Sequence, residues 1–517
     1  MSVTLVDLLT KASKRLGDRI ALTFDPDGQT VTFAELESVT NRIAWALQAA
    51  GVLSGDRIGI MLRNTPHWPL TWIAGLKLGA VVVPLNVFYQ VSDARYLIEH
   101  AGVSLIVCEP DLEPVVTKAS AGLVSIGHIL TAENLMQRSK LHSDNGLQTL
   151  IQDQSLANIQ YTSGTTGKPK GCQLTHAWFF ELSQRFSRAY ESLSETDTIL
   201  TTAPFYYVDP QWNLALSLSL GCHLVVADRF HPSTFWKTVR RHRVTWFYCL
   251  GVMPKLLLKA DRSTDEPIDH LRFVSCSGIP AVDHEAIEER WGVKWYETYG
   301  MTETGLDLGV SFDEHDSLVG TGCIGRPLPT REAMVVDCDD NAVQPNIVGE
   351  LVLRGPGIMQ GYYRNSDATN AVFRNGWMHT GDQVRQDREG RFYFVGRLKD
   401  MIRRSGENIA AQEVEEIIGQ HPAVRLVACV AVSDEIRGEE IKAYVVLQDG
   451  VVEASELLER LVKFCKERIA YFKVPRYWVF RKDFPRTPSE KIMKNLLVGD
   501  EVDRNSQTYD TLDKKWH

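Results

Sequence analysis

Between Thr32 and Cys108 the apolar positions change their period again and again. Leu36, Val39, Ile43 and Leu47 recur at three- and four-residue spacing, which puts them on one helix face. Thr32 and Glu35 precede them as a capping-box pair, and Gly51 follows as a stop. Residues 57–62 then read as a strand. A helix over 69–78 ends at Gly79 and leads into a strand over 80–84. A helix over 94–99, a break at Gly102 and a strand over 104–108 repeat the rhythm. Helix, glycine and strand in succession predict a parallel sheet with helices on its faces. No sequence repeat accompanies this rhythm.

Further along, residues 349–397 are rich in Gly, Arg and aromatics and read as strands with turns. After 396–400 the pattern shortens: a helix near 413–419, strands at 426–432 and 441–447, a helix over 455–469, a strand over 477–481. With 517 residues the chain exceeds a single core. The pattern predicts an α/β fold. Residues 1–398 form a large domain of mostly parallel sheets with flanking helices plus a β segment, and residues 399–517 a small α+β domain joined by a tight hinge.

Net charge is −9, from 56 Lys+Arg against 65 Asp+Glu. The chain has no basic block, which argues against nucleic acid as a partner. Lysines can still gather at one cleft for an anionic small substrate. The nine cysteines are scattered, with no C-x-x-C pair. That pattern predicts neither a disulfide framework nor a zinc site, and a reducing, cytoplasmic setting. The first residues carry Asp7 within their apolar stretch and lack a signal-peptide layout. The apolar run 214–227 is too short to span a bilayer, so no membrane span is expected. The final DKKWH is not a peroxisomal address.

One segment concentrates chemistry: Tyr161, Thr162, Ser163, Gly164, Thr165, Thr166, Gly167, Lys168, Pro169, Lys170, Gly171. Glycines let a backbone approach a ligand closely, hydroxyls and N–H groups cradle phosphate oxygens, and lysines add charge. The spacing is not that of a Walker A loop. By itself the segment reads as a flexible surface loop.

Its neighbours decide the matter. Residues 161–171 resemble the phosphate-binding signature of the adenylate-forming superfamily of acyl-CoA ligases, luciferases and peptide-synthetase adenylation domains. Tyr299-Gly300-Met301-Thr302-Glu303-Thr304-Gly305 looks like the second signature of that superfamily. Thr380-Gly381-Asp382 resembles the third and Gly396-Arg397-Leu398-Lys399-Asp400 the fourth. Residues 404–409 and 485–491 resemble the last two. The resemblance implies an ATP- and Mg²⁺-dependent enzyme. It would convert a carboxylic acid to an acyl-adenylate and then, with coenzyme A, to a thioester.

Roles follow from the resemblance and are reasonable chemically. Thr162, Ser163, Gly164, Thr165, Thr166, Gly167 and Lys168 would hold phosphates. Tyr299 offers a flat face to adenine beside Gly300. Thr302 would donate to the α-phosphate, and Glu303 would carry the metal as a hard oxygen donor. Asp382 would accept the ribose hydroxyls, with Arg397 as a fixed cation nearby. Lys491 would stabilise charge growing on phosphorus, although Glu490 stands where the family usually has Gly. The mobile small domain would turn about Asp400, and Gly406 would let the pantetheine pass close to the backbone. An adenylating amide synthetase or carrier-protein loader shares the first half-reaction. A non-catalytic binder predicts loss of Lys491, Glu303 or Asp382, and all three are present.

By position in the family, Tyr207, Asp209, Gln211, Trp212, Cys249, Ser277, Gly278, Ile279 and Leu306 belong near the acyl group. The segment around Tyr207 resembles that of carnitine/crotonobetaine-type CoA ligases. Asp209 is read either as the N-cap of a helix over 210–220 with Pro210 at its first position, or as a substrate contact. Gly320-Thr321-Gly322-Cys323-Ile324-Gly325 matches G-x-G-x-x-G, but no strand pattern precedes it and Pro327 follows, so a dinucleotide fold is rejected. His242, among Arg240, Arg241 and Arg243, is expected on a solvated basic face.

Overall fold

The computed structural model describes residues 3–162, 169–250, 253–260, 268–404, 407–434, 437–453, 455–486, 492–497, 508–512 and 515–516. The chain divides into two compact units. One holds Lys168–Glu332 and Leu353–Trp377 with the residues before Gly164; the other holds Ala333–Val352 and Met378–His517.

The first unit is built on parallel strands, as the alternating pattern requires. A six-stranded sheet runs His128–Thr131, Leu105–Cys108, Arg57–Met61, Val81–Pro84, Leu156–Thr162, Lys170–Thr175. Every pair is parallel except the last, a hairpin whose ends flank the 163–168 segment. Helix Phe33–Ala49 begins as the sequence predicts. The Glu35 N–H donates to Thr32 Oγ1 at 3.1 Å, and the Thr32 N–H to Glu35 Oε2 at 2.8 Å. Its Phe33, Leu36, Ile43 and Leu47 are fully buried, each worth roughly 1.5–3 kcal/mol. Helices His67–Lys77 and Val91–Ala101 start before their apolar stripes do. The second is opened by the polar pair Gln90 and Asp93, which an apolar period does not register.

Another run of strands carries the second signature. Ile20–Asp25, His223–Ala227, Thr198–Thr201, Trp246–Leu250, Phe273–Ser277 and Trp295–Met301 pair in parallel in that order. Gly305–Gly309 and then Cys323–Pro327 add antiparallel neighbours. A core of Trp236, Phe247, Trp291, Trp295 and surrounding aliphatics fills the space under this surface.

Two expectations are corrected here. His242 is not on a solvated face: its Nε2 lies 2.8 Å from Asp25 Oδ1, which also takes Arg241. A carboxylate at the end of the Ile20–Asp25 strand gathers both side chains, which the run of Arg conceals. The helix over 210–220 instead spans Val208–Leu220, with Tyr207 at its N-cap, so Asp209 lies inside the first turn rather than capping it. The Gly320–Gly325 stretch leads into strand Cys323–Pro327, not a helix. A Cβ at Gly325 would fall 2.0 Å from the Gly309 backbone.

In the second unit a seven-stranded sheet contains Glu407–Ala410, Met401–Arg404, Gly438–Leu447 and Tyr477–Phe480, with Val424–Asp434 paired to Gly438–Leu447. Helices Ala411–Gly419 and Ser455–Lys466 contribute Val414, Ile418, Leu458 and Leu461 to its core. A short 3₁₀ turn at Leu398–Asp400 precedes Met401–Arg404. All nine cysteines are free, and Cys338 is the exposed one. Among the described residues no helix is long and apolar enough to cross a membrane.

Candidate active site

The hairpin Leu156–Thr162 and Lys170–Thr175 brings Thr162 beside Lys170, whose carbonyl accepts from Thr162 Oγ1 at 3.4 Å. Helix Val91–Ala101 pins both flanks of the intervening segment. Tyr96 Oη donates to Pro169 O at 3.1 Å, and His100 Nδ1 shares a 2.6 Å bond with Tyr161 Oη. Gly171 is required: a Cβ there would lie 2.6 Å from Ile159 Cγ2. Residues Ser163, Gly164, Thr165, Thr166, Gly167 and Lys168 lie outside the described residues, as do Gly406 and Lys491.

Strand Trp295–Met301 carries Tyr299, which is buried, and a register shift separates it from Gly300. A Cβ at Gly300 would come 2.1 Å from Gly305 O, so the glycine lets the two strands close on each other. The turn that follows places Thr302 half-buried and Glu303 buried. Glu303 Oε1 accepts a 2.8 Å bond from Tyr362 Oη, and Glu303 O accepts the Met359 N–H at 2.8 Å. Tyr362 is set by an isolated antiparallel bridge to Cys172, and Lys170 Nζ lies 4.3 Å over its ring. Burial and the Glu303 carboxylate push the Tyr362 phenol far up, so it stays a donor. A buried carboxylate fixed in this way is a hard oxygen donor suited to Mg²⁺.

Behind the turn, Thr304 Oγ1 donates to Asp307, and Asp307 pairs with Arg331 at 2.7 Å, all fully buried. Arg185 donates to the carbonyls of Leu306 and Pro356 at 3.2 and 2.7 Å. Arg185 and Arg331 thus bond the main chain of the 302–306 turn, at Leu306 O and Thr304 O.

The residues assigned to the acyl group fall into two kinds. Gln211 is fully buried and committed to protein partners: it accepts from Asn158 Nδ2 at 2.7 Å and donates to Phe205 O at 2.7 Å. Cys249 packs in the core beside Cys276. Tyr207 and Asp209 are half-buried at the start of helix Val208–Leu220, and Trp212 lies one turn on. Tyr248, adjacent to Cys249 but on the opposite strand face, stands edge-on to Trp212 with ring centroids 5.5 Å apart. Burial and then the Asp209 charge push its phenol well up. Tyr248 Oη donates to Ser277 Oγ at 2.8 Å, and Ser277 Oγ and Thr298 Oγ1 lie 3.1 Å apart. Gly278 and Ile279 donate their N–H groups to Glu297 at 2.7 Å each. Leu306 is buried.

His284, Glu288 and His315 place their ligand-capable atoms within 4.8 Å of one another. His284 Nε2 lies 2.9 Å from Trp295 O, and Glu288 Oε1 accepts the Trp295 N–H at 2.6 Å and bonds His315 at 2.8 Å. Against burial, which raises it, the bonds to His284 and His315 hold the Glu288 carboxyl down at about 2. The trio braces the start of the strand that carries Tyr299.

In the second unit, Asp382 and Arg397 are cross-strand partners, with Nε 3.2 Å from Oδ1. Asp382 is buried; the Arg397 side chain is 45% exposed. The strand residues just before Asp382 are each pinned. Thr380 Oγ1 donates to Leu351 O at 2.8 Å, and the Gly381 N–H to Glu350 Oε1 at 3.0 Å. Glu350 is itself held by His379 at 2.8 Å.

Tyr362, Glu297 and Tyr248 were not legible as site residues from the pattern. The signal for Glu297 was a lone carboxylate in the apolar strand Trp295–Met301. Tyr362 had none, because its role depends on a pairing with a strand nearly two hundred residues earlier.

Residues 9–363 match the AMP-binding enzyme family, and residues 413–491 match the AMP-binding enzyme C-terminal domain. The crotonobetaine/carnitine–CoA ligase of Salmonella arizonae is 33% identical over 505 residues, 93% of this chain and 96% of its own. The Proteus mirabilis enzyme of the same name is 32% identical, covering 90% of this chain and 92% of its own. Among solved structures, o-succinylbenzoate CoA synthetase from Bacillus subtilis with its acyl-adenylate intermediate superposes with a TM-score of 0.87 at 28% identity, over 97% and 99% of the two chains. The same enzyme with ATP and magnesium ion gives 0.85 at 29%, over 95% and 98%. The chain belongs to the AMP-binding enzyme family, as an adenylate-forming acyl-CoA ligase.

Proposed function

We propose that the acid this ligase activates is a short carboxylic acid bearing a quaternary ammonium group. The observation that carries this reading is the Asp209 carboxylate, whose charge reaches the Tyr248 phenol while Tyr248 stands edge-on to Trp212. A carboxylate beside aromatic faces suits a cation that cannot donate hydrogen bonds. The relatives named for crotonobetaine and carnitine, both quaternary ammonium acids, support it.

In the first half-reaction an oxygen of the acid attacks the α-phosphorus of ATP and pyrophosphate leaves. The Lys491 ammonium and the Thr302 hydroxyl stabilise the charge that builds on the phosphoryl oxygens. Thr162, Ser163, Gly164, Thr165, Thr166, Gly167 and Lys168 bind phosphates, Tyr299 and Gly300 form the adenine face, and Asp382 and Arg397 orient the ribose. Glu303, held by Tyr362, would hold Mg²⁺, which when bound would neutralise phosphate charge. In the second half-reaction the coenzyme A thiolate attacks the acyl carbonyl and AMP leaves. Residues 399–517 form the mobile domain, turning at Asp400, and Gly406 gives the pantetheine room beside the backbone.

The test is thioester formation across a panel of cationic, neutral, aromatic and medium-chain acids, with wild type and Asp209→Ala. Wild type is expected to favour quaternary ammonium acids, and the variant to lose that preference by about tenfold. A wild type that prefers neutral acids, or an Asp209→Ala variant with an unchanged profile, contradicts the proposal.

A further inference from the structure

Strand Phe273–Ser277 ends at a backbone corner where Gly278 takes a left-handed φ of 94°. The two N–H groups that leave this corner, of Gly278 and Ile279, point the same way. Ile279 is buried and Gly278 exposed, so the second donor in particular must find its acceptor within the protein. Here both are met by one side chain: Glu297 Oε1 takes the first and Oε2 the second, each at 2.7 Å. Glu297 is itself 7% exposed.

A buried carboxyl group is an expensive acceptor, because desolvation penalises its charged form. It has one property that a water or an amide lacks: two acceptor oxygens at a fixed separation. It therefore sets the spacing and direction of two consecutive main-chain groups together. The residue after Glu297 repeats the link, since Thr298 Oγ1 lies 3.1 Å from Ser277 Oγ, to which Tyr248 donates. Three consecutive residues, 277 to 279, are thus tied to two consecutive residues just ahead of Tyr299.

We propose that Glu297 is a positioning residue that sets the wall at Gly278 and Ile279 and, through it, selectivity among acids. Glu297 acts through the backbone it holds. The inference rests on the reading that residues 277–279 face the acyl group.

The test compares Glu297→Gln and Glu297→Asp with wild type by the KM for acid, the KM for ATP, the rank order of acids differing by one methylene, and the Tm. Gln keeps one acceptor and turns an amide N–H toward the other donor. One lost bond of this kind corresponds to a factor of roughly 2–12. The KM for acid is expected to rise by about that factor, the KM for ATP to stay within about twofold, and discrimination between neighbouring acids to fall. Asp retains both oxygens one methylene short and is expected to lie between. If Gln does not fold, Asp carries the test. Equal movement of both KM values, or a fall in Tm with unchanged selectivity, overturns the proposal. Ser277→Ala and Ile279→Ala separate the two levels. If neither moves the KM for acid, the pocket reading fails and takes this proposal with it. If they do and Glu297 variants do not, the proposal alone fails.

Discussion

Tyr362 Oη sits 2.8 Å from Glu303 Oε1, and the two residues reach each other only because the 361–363 segment pairs with strand Lys170–Thr175. One pairing thus registers the carboxylate proposed to hold magnesium against the hairpin that flanks the segment proposed to bind phosphates.

Tyr362→Phe removes that hydroxyl and little else. A hydrogen bond to a charged group contributes about 1.5–3 kcal/mol, so kcat/KM for MgATP is expected to fall by roughly tenfold or more. The magnesium concentration for half-maximal activity should rise, while the KM for acid changes little. Steady-state assays at varied magnesium check this.

Gly300→Ala places a methyl group 2.1 Å from Gly305 O, which is main chain and has nowhere to go. The strands must separate, at an expected loss of about 3 kcal/mol or more. Urea unfolding measures the loss, and adenylation should fall with it.

Burial pushes the Glu297 carboxyl up to about 8, against the two N–H groups that lower it, from an ordinary value of 4.5. The groups facing it, Cys276 and Tyr190, are themselves pushed up by burial and stay neutral through this range. Folded protein therefore holds a proton here that unfolded chain has lost. The contribution to stability is fully present below pH 4.5 and is lost as pH rises through about 8. Between pH 5 and 8 wild type should lose stability on the order of a few kcal/mol from this group. Glu297→Gln should show a flatter curve in chemical denaturation over the same range.

Lys491→Ala is expected to slow pyrophosphate release by a factor of about 10²–10³. Thioester formation from supplied acyl-adenylate and coenzyme A should survive far better, because that step substitutes at the acyl carbon and not at phosphorus. Rapid-quench measurement of the two half-reactions separates them.

Much of this could be read from the chain. The Thr32–Glu35 cap, the stop at Gly79 and the break at Gly102 are local chemistry, and the structure places helix ends beside them. Gly300 was legible within its motif, but its physical reason is a carbonyl across a hairpin, visible only in three dimensions. Asp209 was misplaced by two helical positions, because Pro210 suits the first turn of a helix at more than one site. His242 was misjudged since its partner, Asp25, is far off in sequence. Gln211 was assigned to the pocket by its position in the family, and it is a fully buried amide bonded to Asn158 and Phe205. Tyr362, Glu297 and Tyr248 depend on strand neighbours that no local period encodes.

The central claim is that this chain makes an acyl-adenylate, and isotope exchange tests it most directly. With magnesium, ATP and a quaternary ammonium acid, labelled pyrophosphate should enter ATP without any coenzyme A, and omission of the acid should stop it. Exchange that never appears with any acid in a broad panel, or that continues at full rate with no acid present, contradicts the account.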